Sequence, residues 1–332
     1  MATSGSWDYS VTAAQIITAA AENLSVIPAG GTVASADSAS MLVRLNFIAK
    51  QWQGNADMAQ GLKVHTRQRL TLFLAKGQQR YTVGPASTDA RCSAAYGRTT
   101  LSAAEAIGQT TISITSNTDT TTYPGTTVTM TNADIVGIVQ NDDTIHWTTI
   151  SGTPGATMTI AVGTTVAANA GNYVYWFTSR AQRFPVIESA VLREFDTSTF
   201  GRATDIPLSI YRSVEEYDAL TDKTGSGDPT AILVEPLRLN TAVTLNSQPS
   251  KTNKVVNMSV LYPAEDYDAT SNDIAFPQEW FAALEWELTL RCLPMFPQDW
   301  TPAMEKNYQN ATLIARQVNE ANTTMHFEPG RE

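Results

Sequence analysis

The sequence predicts an α+β fold: a helical bundle built from N- and C-terminal helix pairs, with a long inserted all-β region, sandwich- or barrel-like, between them. Three observations predict it. Apolar residues recur at three-four spacing near both ends of the chain. Between the ends runs a Thr- and Gly-rich stretch of short alternating segments separated by turn signals. Neither helical pair buries its stripe well alone, so the simplest packing brings both pairs into one core.

The first helix is expected over 10–24, where Ala13, Ile16, Ile17, Ala20, Ala21 and Leu24 share a face and Ser10 or Thr12 caps the start. "IPAGGT", Ile27–Thr32, breaks the chain. A second helix runs from about Ala36 to Gln53 behind a Ser35 cap, with Met41, Leu42, Leu45, Ile48, Ala49 and Trp52 as its stripe. Helices joined by so short a loop pack antiparallel. From about Leu62 the period changes. "LKVHTRQRLTLFLA" and "RYTVGP" read as strands, followed by "TTISIT", "TTVTMT", "DIVGIVQ", "TIHWTTI", "TMTIAV" and "NYVYWFT". A further set is "FPVIESAVLREF", "PLSIYRS", "TAILVEP", "TAVTLN" and "KVVNMSVLYP". Helix returns in "PQEWFAALEWELTLRCL", whose Pro and acids suit a helix N-terminus. A last helix starts near Thr301 with Pro302 at its first position, and Met304, Tyr308, Ala311, Ala315 and Val318 form a seam. The expected organisation is 1–62 and 275–319 as the two halves of the bundle, 63–100 and 178–274 as a β domain, 101–177 as an inserted β module, and 320–332 as a C-terminal arm.

Composition narrows the function classes. Charged residues are 16% of the 332, against about 25% in ordinary globular chains, with Thr, Ser, Ala and Asn in their place. That suits neutral, β-rich surfaces and subunits that bury much of their area in an assembly. The net charge of −10 does not attract a nucleic-acid backbone. Cys92 and Cys292 lie too far apart for a metal-binding motif and read as two buried thiols of a reduced compartment. No apolar run approaches the ~20 residues of a membrane span, and "MATSGSWDYS" lacks the features of a signal peptide.

Catalytic patterns are weak. His65, His146 and His326 have no metal-ligand spacing, and no nucleophile-elbow pattern occurs. Asp142 and Asp143 sit in a tight turn. Glu215 and Glu216 fall near a helix start, and Glu285 and Glu287 fall off the apolar stripe, on a solvated or inter-subunit face. Trp147 and Trp176 invite a sugar platform, with core packing as the competing reading. "AKGQQR" lacks the second glycine and the helix that a phosphate loop needs. Lys76, Gly77, Gln78 and Gln79 read instead as a β-hairpin loop, with Gly77 at positive φ. No catalytic residue, cofactor or metal site is expected.

Several stretches, in order, resemble the head-to-tail adaptor family of short-tailed bacteriophages (tail accessory factors, or packaged DNA stabilisation proteins). They are "AAQIITAAAENLSVIPAGGTVASADSASMLVRLNFIAKQWQ", "KGQQRYTVGP", "DIPLSIYRSVEEYDALTDKTGSGDP" and "FPQEWFAALEWELTLRCLPMF". The insertion, "GIVQNDDTIHWTTISGTPGATMTIAVGTT" with "AGNYVYWFT", resembles a β module of phage proteins. Where the family has a Trp-Pro-x-Pro strand, this chain has "EPLRLNTAVTLNSQPS".

The resemblance implies a structural virion protein, made in the host cytoplasm and placed in the tail below the portal vertex. It implies a ring of self-copies, typically twelve, that docks on the portal protein. It also implies that the ring extends the DNA channel without sequence-specific DNA binding and carries tail nozzle protein and tail fibres. Within that reading, the stripes of Ile17, Leu45, Leu284 and Ala315 and the faces beside them assemble the ring. Met325, His326, Phe327, Glu328 and Pro329 of the arm bind the portal. The alternative is a carbohydrate-binding or cell-wall-degrading tail component.

Overall fold

A computed structural model describes residues 9–54, 67–85, 91–120, 127–195, 203–211, 213–223, 225–262 and 265–320. The chain is mixed α and β, mostly strands, and its sheets are mainly antiparallel. Among the described residues the α-helices are α1 (Ala13–Asn23), α2 (Ser35–Gly54), α3 (Val214–Asp218), α4 (Phe281–Cys292) and α5 (Pro302–Glu320). The first strands are β1 (Arg67–Phe73), β2 (Arg80–Val83), β3 (Cys92–Ser93), β4 (Gly97–Thr100), β5 (Thr111–Ser113), β6 (Thr118–Asp119), β7 (Val128–Thr129) and β8 (Ile135–Val139). They continue as β9 (Ile145–Thr149), β10 (Thr157–Thr159), β11 (Tyr173–Phe177), β12 (Val186–Phe195), β13 (Ala203–Pro207), β14 (Ser209–Tyr211), β15 (Ala231–Pro236), β16 (Thr241–Leu245) and β17 (Lys254–Leu261). Two compact units result, Met1–Thr66 with Pro263–Glu332, and Arg67–Tyr262.

In the first unit α1 opens with a reciprocal cap. Gln15 N–H donates to Thr12 Oγ1 at 3.4 Å, and Thr12 N–H donates to Gln15 Oε1 at 2.9 Å. The next N–H groups, of Ala13 and Ala14, donate to the carbonyls of Asn272 and Thr270. Of the two expected caps, Thr12 is therefore the one used. α4 touches α1, α2 and α5. Buried residues of all four long helices, with Tyr267, Ile274 and Phe276, share one apolar core. Asn46 fixes the returning chain to α2: its Nδ2 donates to Tyr267 O, and Tyr267 N–H donates to its Oδ1, both at 2.8 Å. Residues 265–274 therefore belong with the helices. The boundary expected at 274/275 falls at 262/263, because this segment satisfies the orphan N–H groups of α1 and fills its core.

In the second unit two sheets, ordered β13-β12-β17-β1-β3 and β14-β15-β16-β2, bury their facing sides in one core. Leu70 and Leu72 of β1, Leu192 of β12 and Met258 of β17 enter it from the first sheet; Tyr81, Ile232 and Val243 enter from the second. The expected hairpin at Lys76–Gln79 is not one. β1 pairs with β17 and β3, whereas β2 pairs with β16, so the loop is a corner between the two sheets. Gly77 does adopt positive φ, 75°. Tyr81 closes the corner: its hydroxyl donates to Gln78 O at 2.8 Å and accepts from Ala75 N–H at 2.9 Å.

A third sheet, β4-β11-β8-β9, forms the inserted module, with small pairs β5/β10 and β6/β7 beside it. Every residue of β11, "YVYWF", is buried. Val174 and Trp176 face the module's own core, while Tyr173, Tyr175 and Phe177 face the other way. There they meet Phe73, Val255 and Phe195, which lie on the outer side of the first sheet. The ring of Phe73 lies 4.9 Å from that of Tyr175, 5.1 Å from Tyr96, 5.4 Å from Trp147 and 5.9 Å from Phe177. The module thus begins earlier than the expected 101. β4, expected in the β domain, pairs with β11 from Gly97↔Trp176 to Thr100↔Tyr173. Gly97 is there because a Cβ would stand 2.1 Å from Trp176 Cζ2.

Candidate functional site

Ile17, Leu45, Leu284 and Ala315 come together, in the interior. Each is at most 1% exposed and belongs to the single core of the helical unit. They pack the chain's own helical core and are not available on its surface. Elsewhere on the same helices large apolar side chains are exposed: Val43 and Phe47 on α2, and Leu313 and Ile314 on α5. Met325, His326, Phe327, Glu328 and Pro329 lie outside the described residues, as do His65 and the rest of the C-terminal arm beyond Glu320.

The residues singled out for chemistry are dispersed and engaged in structure. His146 in β9 is buried, with Nε2 3.0 Å from Val162 O. Asp142 accepts from the Thr144 hydroxyl at 2.7 Å, which holds its carboxyl below the usual range, and Asp143 sits at φ 61° in the same turn. Glu215 and Glu216 lie in the first turn of α3. Glu287 is not on a solvated face. It is buried, accepting from Arg291 Nε at 2.7 Å and from the Tyr308 hydroxyl at 2.9 Å. Its side chain leans across to α5 because a carboxylate at this depth needs two partners. Burial and the bond to Glu287 push the Tyr308 hydroxyl up to about 12. Trp176 is wholly buried, and half-buried Trp147 covers Gly137, so neither offers the open indole face a sugar stacks on. Cys92 and Cys292 are both buried and free, and desolvation raises both thiols, Cys292 to about 11. Among the described residues no three His, Cys, Asp or Glu side chains are placed to hold a metal ion. Nor is any helix among them long and apolar enough to cross a membrane.

A concave region with a mixed polar and apolar lining lies where the module leaves the sandwich. The outer side of the first sheet is covered by the module's rings at Phe73, Val255 and Phe195. Beyond them, Arg67, Arg69 and Thr71 of β1, Asn257 of β17 and Arg193 of β12 line a shelf of about 390 Å³. Cross-strand register puts them on one side: Thr71 stands opposite Asn257, and Asn257 opposite Val191, two residues from Arg193. Ala94, Ala95 and Tyr96, the chain entering the module, form the other wall. Arg193 grips Asp205 with two bonds of 2.7 Å, and that fork holds the carboxyl below its usual range, helped by Arg69. Arg67 grips Glu188 in the same way, with Nη2 3.0 Å from Oε1. The alternation of Arg67, Arg69 and Thr71 is visible in "RQRLTLF"; Arg193 and Asn257 join it only through sheet register.

Compared with models of known protein families and with curated proteins, the chain matches none.

Proposed function

We propose that the chain is a structural virion protein, a ring-forming head-to-tail adaptor that docks under a portal, extends the DNA channel and offers a platform for tail nozzle and fibres. It works by assembly, not by catalysis. The terminal helix pairs form a helical bundle that serves as the mount. Residues 97–177 form the outward module, and the arm with Met325–Pro329 engages the portal. The order of the family-like stretches along the chain supports this reading, as does an acidic balance that lets packaged DNA pass a lumen without adhering.

The observation that carries it is the pair of apolar faces on α2 and α5. Phe47 is 62% exposed and Val43 51%, one turn apart on α2; Leu313 is 54% and Ile314 58% exposed on α5. The opposite faces of both helices are packed in the core, so these side chains are surplus to the protomer's own fold. Two different patches on one subunit suit a heterologous contact, the face of α2 in one copy against the face of α5 in the next, which closes into a ring when the rotation permits.

Light scattering and negative-stain imaging of purified protein, with and without portal, test the reading. Rings of about a dozen subunits are expected, and Phe47→Ser or Ile314→Ser should shift them toward monomer with an unchanged circular dichroism spectrum. A chain that stays monomeric at every concentration and in the presence of portal refutes the proposal.

A further inference from the structure

Arg67–Tyr262 exposes two surface features of opposite charge. The first is the hairpin between β15 and β16. Its loop closes with Leu237 N–H donating to Asn240 O at 2.8 Å. Leu237 is 41% exposed and Leu239 60%, with exposed Arg238 between them. Arg183 Nε donates to Leu237 O at 2.6 Å, and Gly84 lies so close that a Cβ there would stand 3.1 Å from Leu239 O. The tip is thus fixed with both leucines outside. Among the described residues neither Arg183 nor Arg238 has a carboxylate partner, and the acid nearest in sequence, Glu235, is paired with Arg80.

The second feature is the surface of the inserted module. Residues 99–179 contain five carboxylates and no Lys or Arg. Glu105, Asp119 and Asp134 are buried, which leaves Asp142 and Asp143 as the exposed charges. Lys76 Nζ donates to Asp142 O, so this turn keeps one carboxylate in excess. Ile107, 69% exposed, and Val162, 60% exposed, lie on turns bonded to one another and to it. Gly108 N–H donates to Thr164 O at 2.8 Å, and Thr165 Oγ1 donates to Gln140 Oε1 at 3.0 Å. A cationic tip with two leucines and an acidic edge with two aliphatic side chains are complementary in both charge and polarity. Both stay exposed within one chain, so the complement is met by another copy.

We propose that the β15–β16 tip of one copy docks on the inserted module of the next, with Arg238 against the Asp142–Asp143 turn and Leu237 and Leu239 against Ile107 and Val162. The contact joins two different patches, so it propagates head to tail and closes when the rotation permits. It rests on the ring reading above and adds to the helix faces a second contact between copies.

Two measurements on the full chain, with and without portal, test it. In the first, the surface variants Leu239→Cys and Ile107→Cys are mixed and treated with a short bis-maleimide. The native thiols, Cys92 and Cys292, are buried and stay silent. A crosslinked product holding one chain of each variant is expected, and none when either variant is treated alone. In the second, sedimentation at low ionic strength follows assembly of charge-reversed variants whose melting curves match the parent. Arg238→Glu and Asp143→Lys should each raise the concentration at half-assembly about tenfold, and the double variant should regain most of the loss. Assembly without the mixed crosslink overturns this contact and leaves the ring reading standing. So does assembly indifferent to both reversals, or weakened by both with no recovery in the double variant. Absence of any assembly, with or without portal, overturns the ring reading and this contact together.

Discussion

Replacing Phe73 by alanine should loosen the inserted module from the sandwich. Phe73 is wholly buried at the end of β1, and four rings stand within 6 Å of its own, those of Tyr175, Tyr96, Trp147 and Phe177. A buried Phe→Ala change costs roughly 3–5 kcal/mol, the larger values where neighbours cannot collapse into the space. Collapse is restricted here. Tyr175 and Phe177 belong to β11, whose alternate residues Val174 and Trp176 are anchored in the module's separate core. A loss of about 4 kcal/mol is therefore expected, which corresponds to about a thousandfold faster amide exchange for segments that open with the seam. Hydrogen exchange read by mass spectrometry on peptides spanning β1 and β11 measures it directly, and the two should accelerate together. Phe73→Leu should cost only ~1 kcal/mol, since it keeps most of the volume. An alanine variant whose exchange rises less than about tenfold in both segments would refute the reasoning, as would a leucine variant no better than alanine.

Gly97→Ala should destabilise the module by about 3 kcal/mol, because the new Cβ lands on the immobile Trp176 ring; Gly155→Ala, with nothing within 4 Å, is the neutral control in urea titrations. The helical unit should weaken in alkali. Tyr267 and Tyr308 are raised to about 12 and Cys292 to about 11, chiefly by burial, so their contribution is intact below the unfolded values and lost as pH climbs through 11 to 12. A fall in Tm of roughly 5 °C or more between pH 9 and 11 is expected, smaller in Tyr308→Phe, and a flat profile contradicts it. A chain ending at Asn319 should melt like the full chain yet fail to bring down portal; undiminished capture removes the arm from the portal contact.

Local chemistry was legible where it acts locally. Thr12 and Gln15 stand at cap spacing, and the stripes of α1, α2 and α4 are read directly from apolar recurrence, as is the positive φ of Gly77. The unbroken apolar run of β11 is the mark of a strand covered on both sides. What escaped depends on partners distant in the chain. β3, β4, β6 and β13 are short or polar and exist because a neighbour supplies the ladder. The Lys76–Gln79 loop has turn residues in either role, and only the choice of β16 over β1 as the partner of β2 makes it a corner. Glu287 reads as a surface carboxylate until α5 brings Tyr308 to it. The shelf was half visible in Arg67 and Arg69, and the rest needed a register spanning β1, β17 and β12.

The pairing of Gly97 with Trp176 places the chain's entry to the module beside its exit, on adjacent strands roughly 5 Å apart. The module is therefore a cassette held by two neighbouring threads, and cutting both leaves the sandwich's own ladders whole. What constrains an exchange is the exposed seat it leaves behind. Any replacement must bring aromatic side chains to cover Phe73, Val255 and Phe195, so a foreign head can be grafted here only if it carries a matching underside.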